Sequence, residues 1–267
     1  MHPPDPISST KNPLVRRVRA VRDGDEPGLM VAEGVRLVEE VLQSPCEIAE
    51  AYVSDKLLHN ERGRELRTAL SAKAGKVVSC ADQVLERASD VETHQGILCL
   101  VRRPVWSDAD LLQRKPALLA VAAGVRDPGN LGALVRTAEA AGASGFVALR
   151  GSADPFKDKA VRGSAGSIFR LPCRANVTPD ELKHLLAKGH IPLIAADRDK
   201  GTVFWDCKLA GAVAVVLGSE GAGIPEELRP LCQQFVQIPM AAHVESLNVA
   251  VAAGLLLYEA RRQRERG

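Results

Sequence analysis

The sequence is poor in aromatic residues. It contains two tryptophans, two tyrosines and five phenylalanines, which together make up 3% of its 267 residues. Proteins that bind single-stranded nucleic acid mainly by base stacking present rows of aromatic side chains. The composition therefore argues against stacked aromatic rows as the main mode of recognition.

The chain also lacks a metal-binding pattern. It has six cysteines but no C-x-x-C pair, and its six histidines do not complete a zinc spacing. We expect no metal site, and we expect the cysteines to be reduced and mostly buried. They are Cys46, Cys80, Cys99, Cys173, Cys207 and Cys232.

No segment has the pattern of a signal peptide or a membrane span. The opening MHPPDPISSTKNP lacks an apolar stretch, and the longest apolar run, residues 249–260, is short and flanked by charge. The sequence therefore predicts a cytoplasmic protein that does not bind membranes.

The composition is that of a globular protein, with 46% hydrophobic and 25% charged residues. A chain of 267 residues can form one large domain or two ordinary ones. The net charge of +2 says little about nucleic-acid binding, because basic residues can still cluster locally.

The pattern along the chain changes after the first hundred residues. Residues 1–104 mix helical and strand-like stretches and predict a small α/β domain, and residues 105–116 predict a linker that ends at Pro116. Residues 117–267 alternate short apolar runs with helices, which is typical of a largely parallel sheet covered on both faces. Ligands of such sheets bind beyond the carboxyl ends of the strands, so the loops leaving those ends are candidate sites.

One of these loops leads into a helix within GVRDPGNLGALVRTAEAAG, residues 124–142. Arg136 lies opposite the apolar face of this helix, over Gly132 and Ala133. Two interpretations stay open: Asn130 caps an ordinary helix with a solvated Arg136, or Arg136 stands over a low surface that a ligand or another chain approaches. The apolar face, predicted to pack on the core, consists of Leu131, Leu134, Val135 and Ala138.

Two further loops carry glycine, proline and polar residues. In LGSEGAGIP, residues 217–225, the glycines let the backbone approach a bound molecule and Glu220 adds a carboxylate, although a plain turn before a short helix at Pro225 explains the pattern equally well. The closing helix, predicted from Ser246 with Ser246 or Asn248 as its cap, is apolar nearly all round. It must be covered on most sides, in part by a second subunit.

Together, residues 127–145, 217–228 and 238–260 resemble the three motifs of the SpoU/TrmH family of RNA 2′-O-ribose methyltransferases, within the SPOUT superfamily. The motifs are N-x-G-x-x-x-R, a G-S-E-G loop, and I-P-M followed by S-L-N, in that order. The likeness covers residues 117–267. More loosely, the opening segment is similar to the RNA-binding domain that often precedes the catalytic domain in this family.

This resemblance implies an α/β protein: a C-terminal SPOUT domain with a parallel sheet and a trefoil knot, preceded by a small α/β RNA-binding domain. It also implies a homodimer and S-adenosylmethionine as cofactor, held mainly by backbone groups. The implied cofactor positions are Leu217, Gly218, Ile238, Met240, Ser246 and Leu247. The implied catalytic cluster is Asn130, Arg136, Glu220, Ser246 and Asn248.

The implied reaction is attack of a ribose 2′-oxygen on the sulfonium methyl group, in line with the departing sulfur. Arg136 would face the target nucleotide, from the same subunit or from its partner. A guanidinium keeps its proton up to a pH above about 12, so we expect Arg136 to hold a phosphate, with Glu220 and Asn130 orienting it, rather than to act as the base. The sequence does not identify the base.

Ribosomal RNA is favoured over transfer RNA as the substrate by resemblance alone. The alternatives are a tRNA 2′-O-methyltransferase and a noncatalytic RNA-binding protein of the same fold. A kinase or dehydrogenase ranks lower because the phosphate-binding lysine, the ribose-binding acid and the glycine spacing are missing. Phosphate contacts are expected from basic residues, each of which could also be an ordinary solvated charge. They are Lys11, Arg16, Arg17, Arg19, Arg22, Arg36, Lys157, Lys159 and Arg162.

Overall fold

The computed structural model describes residues 6–198, 200–219 and 221–266. Contacts along the chain define two compact units. The first consists of Met1–Pro104 with Phe156–Arg170, and the second of Val105–Pro155 with Leu171–Gly267. The segment 156–170, which the sequence places in the second domain, thus packs with the first unit.

The first unit is a small α/β structure. Along the chain its elements are α1 (Pro13–Asp23), β1 (Leu29–Glu33), α2 (Val35–Leu42), β2 (Ile48–Val53), α3 (Glu61–Lys73), β3 (Val77–Ser79), α4 (Asp82–Ala88) and β4 (Ile97–Arg102). The strands form a mixed sheet in the order β1–β4–β2–β3. Strand β4 is antiparallel to both of its neighbours, and β2 and β3 run parallel.

Helix α1 shows how local sequence sets these elements. The Asn12 side chain accepts a hydrogen bond from the Leu14 amide (3.0 Å), and Pro13 occupies the first helical position. Gly24 ends the helix with a φ of 97°, a conformation that glycine adopts without steric cost. The apolar residues of α1 recur at helical spacing and are buried, whereas Arg16 and Arg19 of the same helix are exposed.

The second unit alternates strands and helices. Its elements are α5 (Asp108–Leu111), β5 (Leu118–Ala123), α6 (Pro128–Ala140), β6 (Gly145–Leu149), β7 (Cys173–Val177), α8 (Pro179–Gly189), β8 (Leu193–Ala196), β9 (Thr202–Val203), β10 (Val213–Gly218), β11 (Cys232–Gln237) and α9 (Val249–Arg266), and the intervening α7 (Asp158–Gly163) belongs to the first unit. We therefore number α7 after α6.

The strands of the second unit form one seven-stranded sheet in the order β7–β6–β5–β10–β8–β11–β9. Every neighbouring pair is parallel, which confirms the predicted parallel sheet. The interior strand β5 is buried along its whole length, as its continuous apolar sequence predicts. Strands β5 and β10 end level, at Ala123 and Gly218, and helix α9 packs against α6 and over both strands. The trefoil knot stays a prediction.

The predicted linker, residues 105–116, is folded into the second unit. Helix α5 begins with a capping box, in which the Asp110 amide donates to the Ser107 hydroxyl (3.3 Å) and the Ser107 amide donates to the Asp110 carboxylate (2.7 Å). Leu111 is fully buried in the core of the unit. Trp106 and Leu112 of the same segment pack against this core, so apolar residues among polar neighbours anchor the segment.

The prediction that Asn130 caps α6 is wrong. Asp127 is the N-cap, and its carboxylate accepts a hydrogen bond from the Asn130 amide (2.8 Å). Pro128 then takes the first helical position, where the missing N–H of proline costs nothing. The Asn130 side chain is consequently not used for capping.

The closing helix begins later than predicted, at Val249 rather than Ser246. Asn248 is its cap, because its side-chain oxygen accepts a hydrogen bond from the Ala250 amide (2.9 Å). Ser246 and Leu247 therefore stay in the preceding loop. Over the described ranges, no helix is long and apolar enough to cross a membrane.

Strand β11 stops short of the I-P-M motif. It begins at Cys232 and ends at Gln237, so Ile238, Pro239 and Met240 lie beyond the sheet. Proline has no N–H to donate to a ladder, which explains why pairing stops before it. This early end makes Ile238 and Met240 available to a ligand.

Candidate functional site

A cavity of about 320 Å³ lies at the carboxyl ends of β8, β10 and β11. Parallel α/β sheets bind their ligands at this edge, and the volume suits a small molecule. The lining comes from the three loops that follow these strands and from the first turn of α9, within residues 196–198, 217–219, 221–224, 229 and 236–252.

All six residues predicted for the cofactor line this one cavity. They come from separate segments: the end of β10, the residues after β11, and the loop before α9. The structure thus brings together positions that are distant in sequence. They are Leu217, Gly218, Ile238, Met240, Ser246 and Leu247.

The glycine loop presents mainly backbone to the cavity. A Cβ atom on Gly218 would lie 2.1 Å from the carbonyl oxygen of Gly223, so only glycine allows the two segments to pass this closely. The Gly223 amide donates to the Ser219 carbonyl (2.9 Å), and the Ala222 amide donates to the Ser219 hydroxyl (3.2 Å). This cradle fits a cofactor that is held by main-chain amides and carbonyls rather than by charged side chains.

Arg229 ties together the walls of the cavity. Its guanidinium contacts the carboxylates of Asp197 at the end of β8 (3.3 Å) and Glu226 in the short turn after the glycine loop (3.2 Å). It also lies over the ring of Phe235 in β11, 5.5 Å from the ring centroid. The sequence analysis missed this residue, since nothing in the pattern links two charges that are 32 positions apart.

Two predicted catalytic residues are in direct contact. The side-chain amide of Asn248 donates to the side-chain oxygen of Asn130 (2.9 Å), which joins the first turns of α6 and α9. Ser246 lies two residues before Asn248 and lines the cavity. The structure therefore places three members of the predicted cluster at the rim of the cavity. A fourth, Glu220, lies outside the described residues.

Arg136 is exposed on α6, and its guanidinium has no hydrogen bond or ion pair with any residue that the structure describes. It lies six residues beyond Asn130, about 9 Å farther along the helix axis, and it is not part of the cavity lining. The neighbouring Gly132 is buried, so the low surface expected beneath Arg136 is formed only in part. Within one chain, Arg136 and the cavity are separate.

Comparison with known families decides the identity. The model of the SpoU rRNA Methylase family matches residues 117–258, and that of the RNA 2′-O ribose methyltransferase substrate-binding family matches residues 31–105. The chain belongs to the SpoU rRNA methylase family. It is an S-adenosylmethionine-dependent RNA 2′-O-ribose methyltransferase, as the three motifs predict.

Similar proteins support this membership over nearly the whole chain. The 23S rRNA (guanosine-2′-O-)-methyltransferase RlmB of a Burkholderia species is 34% identical, with 89% of this chain and 98% of the relative aligned. The 23S rRNA (guanosine(2553)-2′-O)-methyltransferase RlmP of Bacillus subtilis is 30% identical over 96% and 98% of the two chains.

Solved structures agree. The AdoMet-bound rRNA methyltransferase of Sinorhizobium meliloti has a TM-score of 0.83 at 28% identity, and covers 97% of each chain. The SpoU methyltransferase AviRb of Streptomyces viridochromogenes has a TM-score of 0.85 at 26% identity, over 96% of this chain and 99% of that one.

In the first unit of this SpoU protein, three of the arginines predicted to contact RNA are bound to carboxylates. Arg22 is only 10% exposed; it contacts Glu33 (2.6 Å) and Asp158 (3.5 Å). Arg162 contacts the same Asp158. The third, Arg17, pairs with two glutamates of the unit. The remaining predicted RNA contacts are exposed: Lys11, Arg16, Arg19, Arg36, Lys157 and Lys159.

The six cysteines are free thiols, and burial raises the pKa of each of them. For Cys80 the pKa rises to about 11. In the part of the chain that the structure describes, no three His, Cys, Asp or Glu side chains are grouped so that they could hold a metal ion.

Proposed function

We propose that this protein transfers a methyl group from S-adenosylmethionine to a ribose 2′-hydroxyl of ribosomal RNA, in the cytoplasm where ribosomes work. The observation that carries the proposal is the convergence of six motif residues on one cavity, with the Asn130–Asn248 pair at its rim. Relatives whose names specify 23S rRNA favour ribosomal over transfer RNA.

The cavity is proposed to hold the cofactor through its backbone. The amides and carbonyls of Gly218, Ile238 and Leu247 would bind the adenine and ribose, since the edges of a nucleobase match main-chain donors and acceptors. Leu217, Met240 and Ser246 complete the lining. S-adenosylmethionine supplies an electrophilic methyl group on a sulfonium centre. The role of the protein is then to hold that methyl and the ribose oxygen in line.

The polar residues at the rim are proposed to bind and orient the RNA. The mutual hydrogen bond of Asn130 and Asn248 fixes both amides at the point where α6 and α9 begin. Arg136 would hold an RNA phosphate, because its planar guanidinium makes bidentate contacts while keeping its proton. Glu220 is assigned to the same group by its place in the G-S-E-G motif.

The surface of α9 supports the proposal of a homodimer. Val251, Leu255 and Tyr258 are 52%, 39% and 47% exposed, and their spacing places them on one face of the helix. Contiguous exposed apolar residues of this kind mark a protein interface. A second copy on this face would cover the stripe and bring Arg136 of one subunit towards the cavity of the other.

The direct test of the function is methyl transfer from labelled S-adenosylmethionine to RNA, followed by mapping of 2′-O-methyl positions. We expect label in ribosomal RNA transcribed without modifications. Label in transfer RNA alone would favour the alternative substrate, and binding of RNA without any transfer would indicate a noncatalytic protein.

The role of Arg136 is tested with Arg136→Lys. We expect a large loss of turnover, because lysine cannot make the two parallel hydrogen bonds of a guanidinium. Substantial turnover with an unchanged pH–rate profile would rule out a role that needs the planar group.

For the dimer, Leu255→Glu should give monomers in analytical ultracentrifugation that still bind the cofactor but do not methylate RNA.

A further inference from the structure

Two exposed arginines outside the assigned residues lie at the carboxyl edge of the catalytic sheet. Arg126 follows β5, and Arg150 follows β6. Neither guanidinium has a hydrogen bond or a direct ion pair within residues 6–198, 200–219 and 221–266. They differ in this from Arg22 and Arg162, whose charges are neutralised inside the first unit.

The two loops that carry them are tied together. The Gly124 amide donates to the Ser152 hydroxyl (2.9 Å), which in turn donates to the Ala122 carbonyl (3.2 Å). The Ala153 amide donates to the Val125 carbonyl (2.8 Å). Since these bonds continue the pairing of β5 with β6, the loops form a fixed platform rather than independent flexible segments.

This platform continues the line of the proposed active site. In the strand order β6–β5–β10, Arg150 and Arg126 follow the first two strands, and Gly218, which lines the cavity, ends the third. Adjacent strands are about 4.8 Å apart. The loop of Arg126 therefore starts about one strand spacing from β10, and the loop of Arg150 starts about two spacings away. Asn130, four residues after Arg126, links this row to the cavity rim through Asn248.

We propose that Arg126 and Arg150 bind the phosphodiester backbone of the RNA strand next to the acceptor nucleotide. This inference rests on the proposed function, because it requires the acceptor ribose at the cavity. Neither guanidinium contacts a carboxylate directly, although the charge of Arg150 acts on Glu181. Each can therefore bind phosphate without first breaking a direct ion pair, and its planar group matches the phosphate oxygens. The nearby carboxylate of Asp127 already accepts the Asn130 amide.

The test uses the full-length protein with Arg126→Gln, Arg150→Gln and the double variant. Arg114→Gln is the matched control, since Arg114 is also exposed but precedes β5 at the opposite edge of the same sheet. The probe is 23S rRNA transcribed in vitro, titrated at several salt concentrations. Turnover at saturating RNA and cofactor affinity by calorimetry are measured in parallel.

For the double variant we expect a rise of about tenfold in Kd and KM for RNA, and a salt dependence of log K that is shallower by about one to two. Cofactor affinity should not change, and kcat should change much less than KM. Arg114→Gln should behave as wild type. Lysine at both positions should restore most of the salt slope, because it restores the charge.

Wild-type RNA affinity and salt slope in the double variant would overturn the inference, as would an equal loss in Arg114→Gln or a loss confined to kcat or cofactor binding. These outcomes are separate from failure of the proposed function. In that case the wild-type protein itself would fail to bind S-adenosylmethionine or to methylate the transcript.

Discussion

Three arginines of the first unit and two of the second differ in their partners. In the first unit, Arg22, Arg17 and Arg162 are paired with carboxylates of the same unit. In the second unit, the guanidinium groups of Arg126 and Arg136 are exposed and have no such partner among the described residues. The positions of these arginines in the sequence do not distinguish the two groups, and neither does the number of charges. Their ion pairs with carboxylates do.

The difference has a physical cause. A charge that is removed from water must be paired, and Arg22 lies beside Glu33, which is only 3% exposed. Arginines at the loop edge of a sheet keep their hydration and need no partner. They therefore remain available to a ligand. For this reason we propose RNA contacts at Arg126 and Arg150 in the second unit, which composition alone did not suggest.

The largest expected effect separates these two kinds of arginine. Arg22→Met leaves the buried carboxylate of Glu33 without its main counter-charge and should lower the free energy of unfolding by about 3–5 kcal/mol. Arg126→Gln, at an exposed site, should change it by less than about 0.5 kcal/mol. Urea denaturation of both variants measures the difference.

Equal stability losses would refute the comparison. If Arg22→Met instead folded normally and bound RNA more weakly, Arg22 would be an RNA contact, as its sequence position suggested, and the ion pairs would be incidental. RNA titration of the same two samples distinguishes these cases.

Much of the fold was predictable, because a strand that is buried on both faces, such as β5, has a continuous apolar sequence. The boundaries were not. Asp127 and Pro128 begin α6 ahead of Asn130, and the segment 156–170 joins the first unit through contacts such as that of Asp158 with Arg22, 136 positions away. No local sequence pattern predicts a contact between residues that lie so far apart in the chain.

The candidate site shows the same division. The resemblance to the family motifs identified the positions that line the cavity, including Gly218 and Leu247. It did not identify Arg229, Arg126 or Arg150. The importance of these residues depends on which carboxylates or loops lie beside them in three dimensions, and a single sequence does not contain that information.

The second prediction concerns the backbone cradle. Gly218→Val would force the Gly223 carbonyl out of its place, since even a Cβ atom comes within 2.1 Å of it. If the cavity holds the cofactor, affinity for S-adenosylmethionine should fall by at least about 100-fold, or about 2.7 kcal/mol. Calorimetry measures the affinity. Gly211→Ala, where a Cβ atom meets nothing within 4 Å and the residue does not line the cavity, is the control and should bind normally.

A third, smaller effect tests a paired arginine in the second unit. Arg229→Met removes the tie between Asp197 and the turn after the glycine loop, and should weaken cofactor binding about tenfold through a looser cavity. Arg174→Met is the control, because Arg174 pairs with Asp108 away from the cavity. Asp197→Asn should weaken binding too, and the two changes should be non-additive. Normal binding by Asp197→Asn would mean that Arg229 acts without this pair.

The smallest effect concerns acid stability in the first unit. Burial raises the pKa of Glu50, but hydrogen bonds from the Tyr52 hydroxyl and the Arg17 guanidinium outweigh it and hold the pKa below its ordinary value. A lowered pKa stabilises the fold above the unfolded-state value, about 4.3, and that contribution is lost as the pH falls through the folded-state value. Glu50→Gln should therefore cost about 1 kcal/mol at pH 7, and the difference from wild type should shrink in urea titrations as the pH falls below about 4.3. A difference that did not shrink as the pH fell would show that packing, rather than the charge that holds Arg17, stabilises this part of the unit.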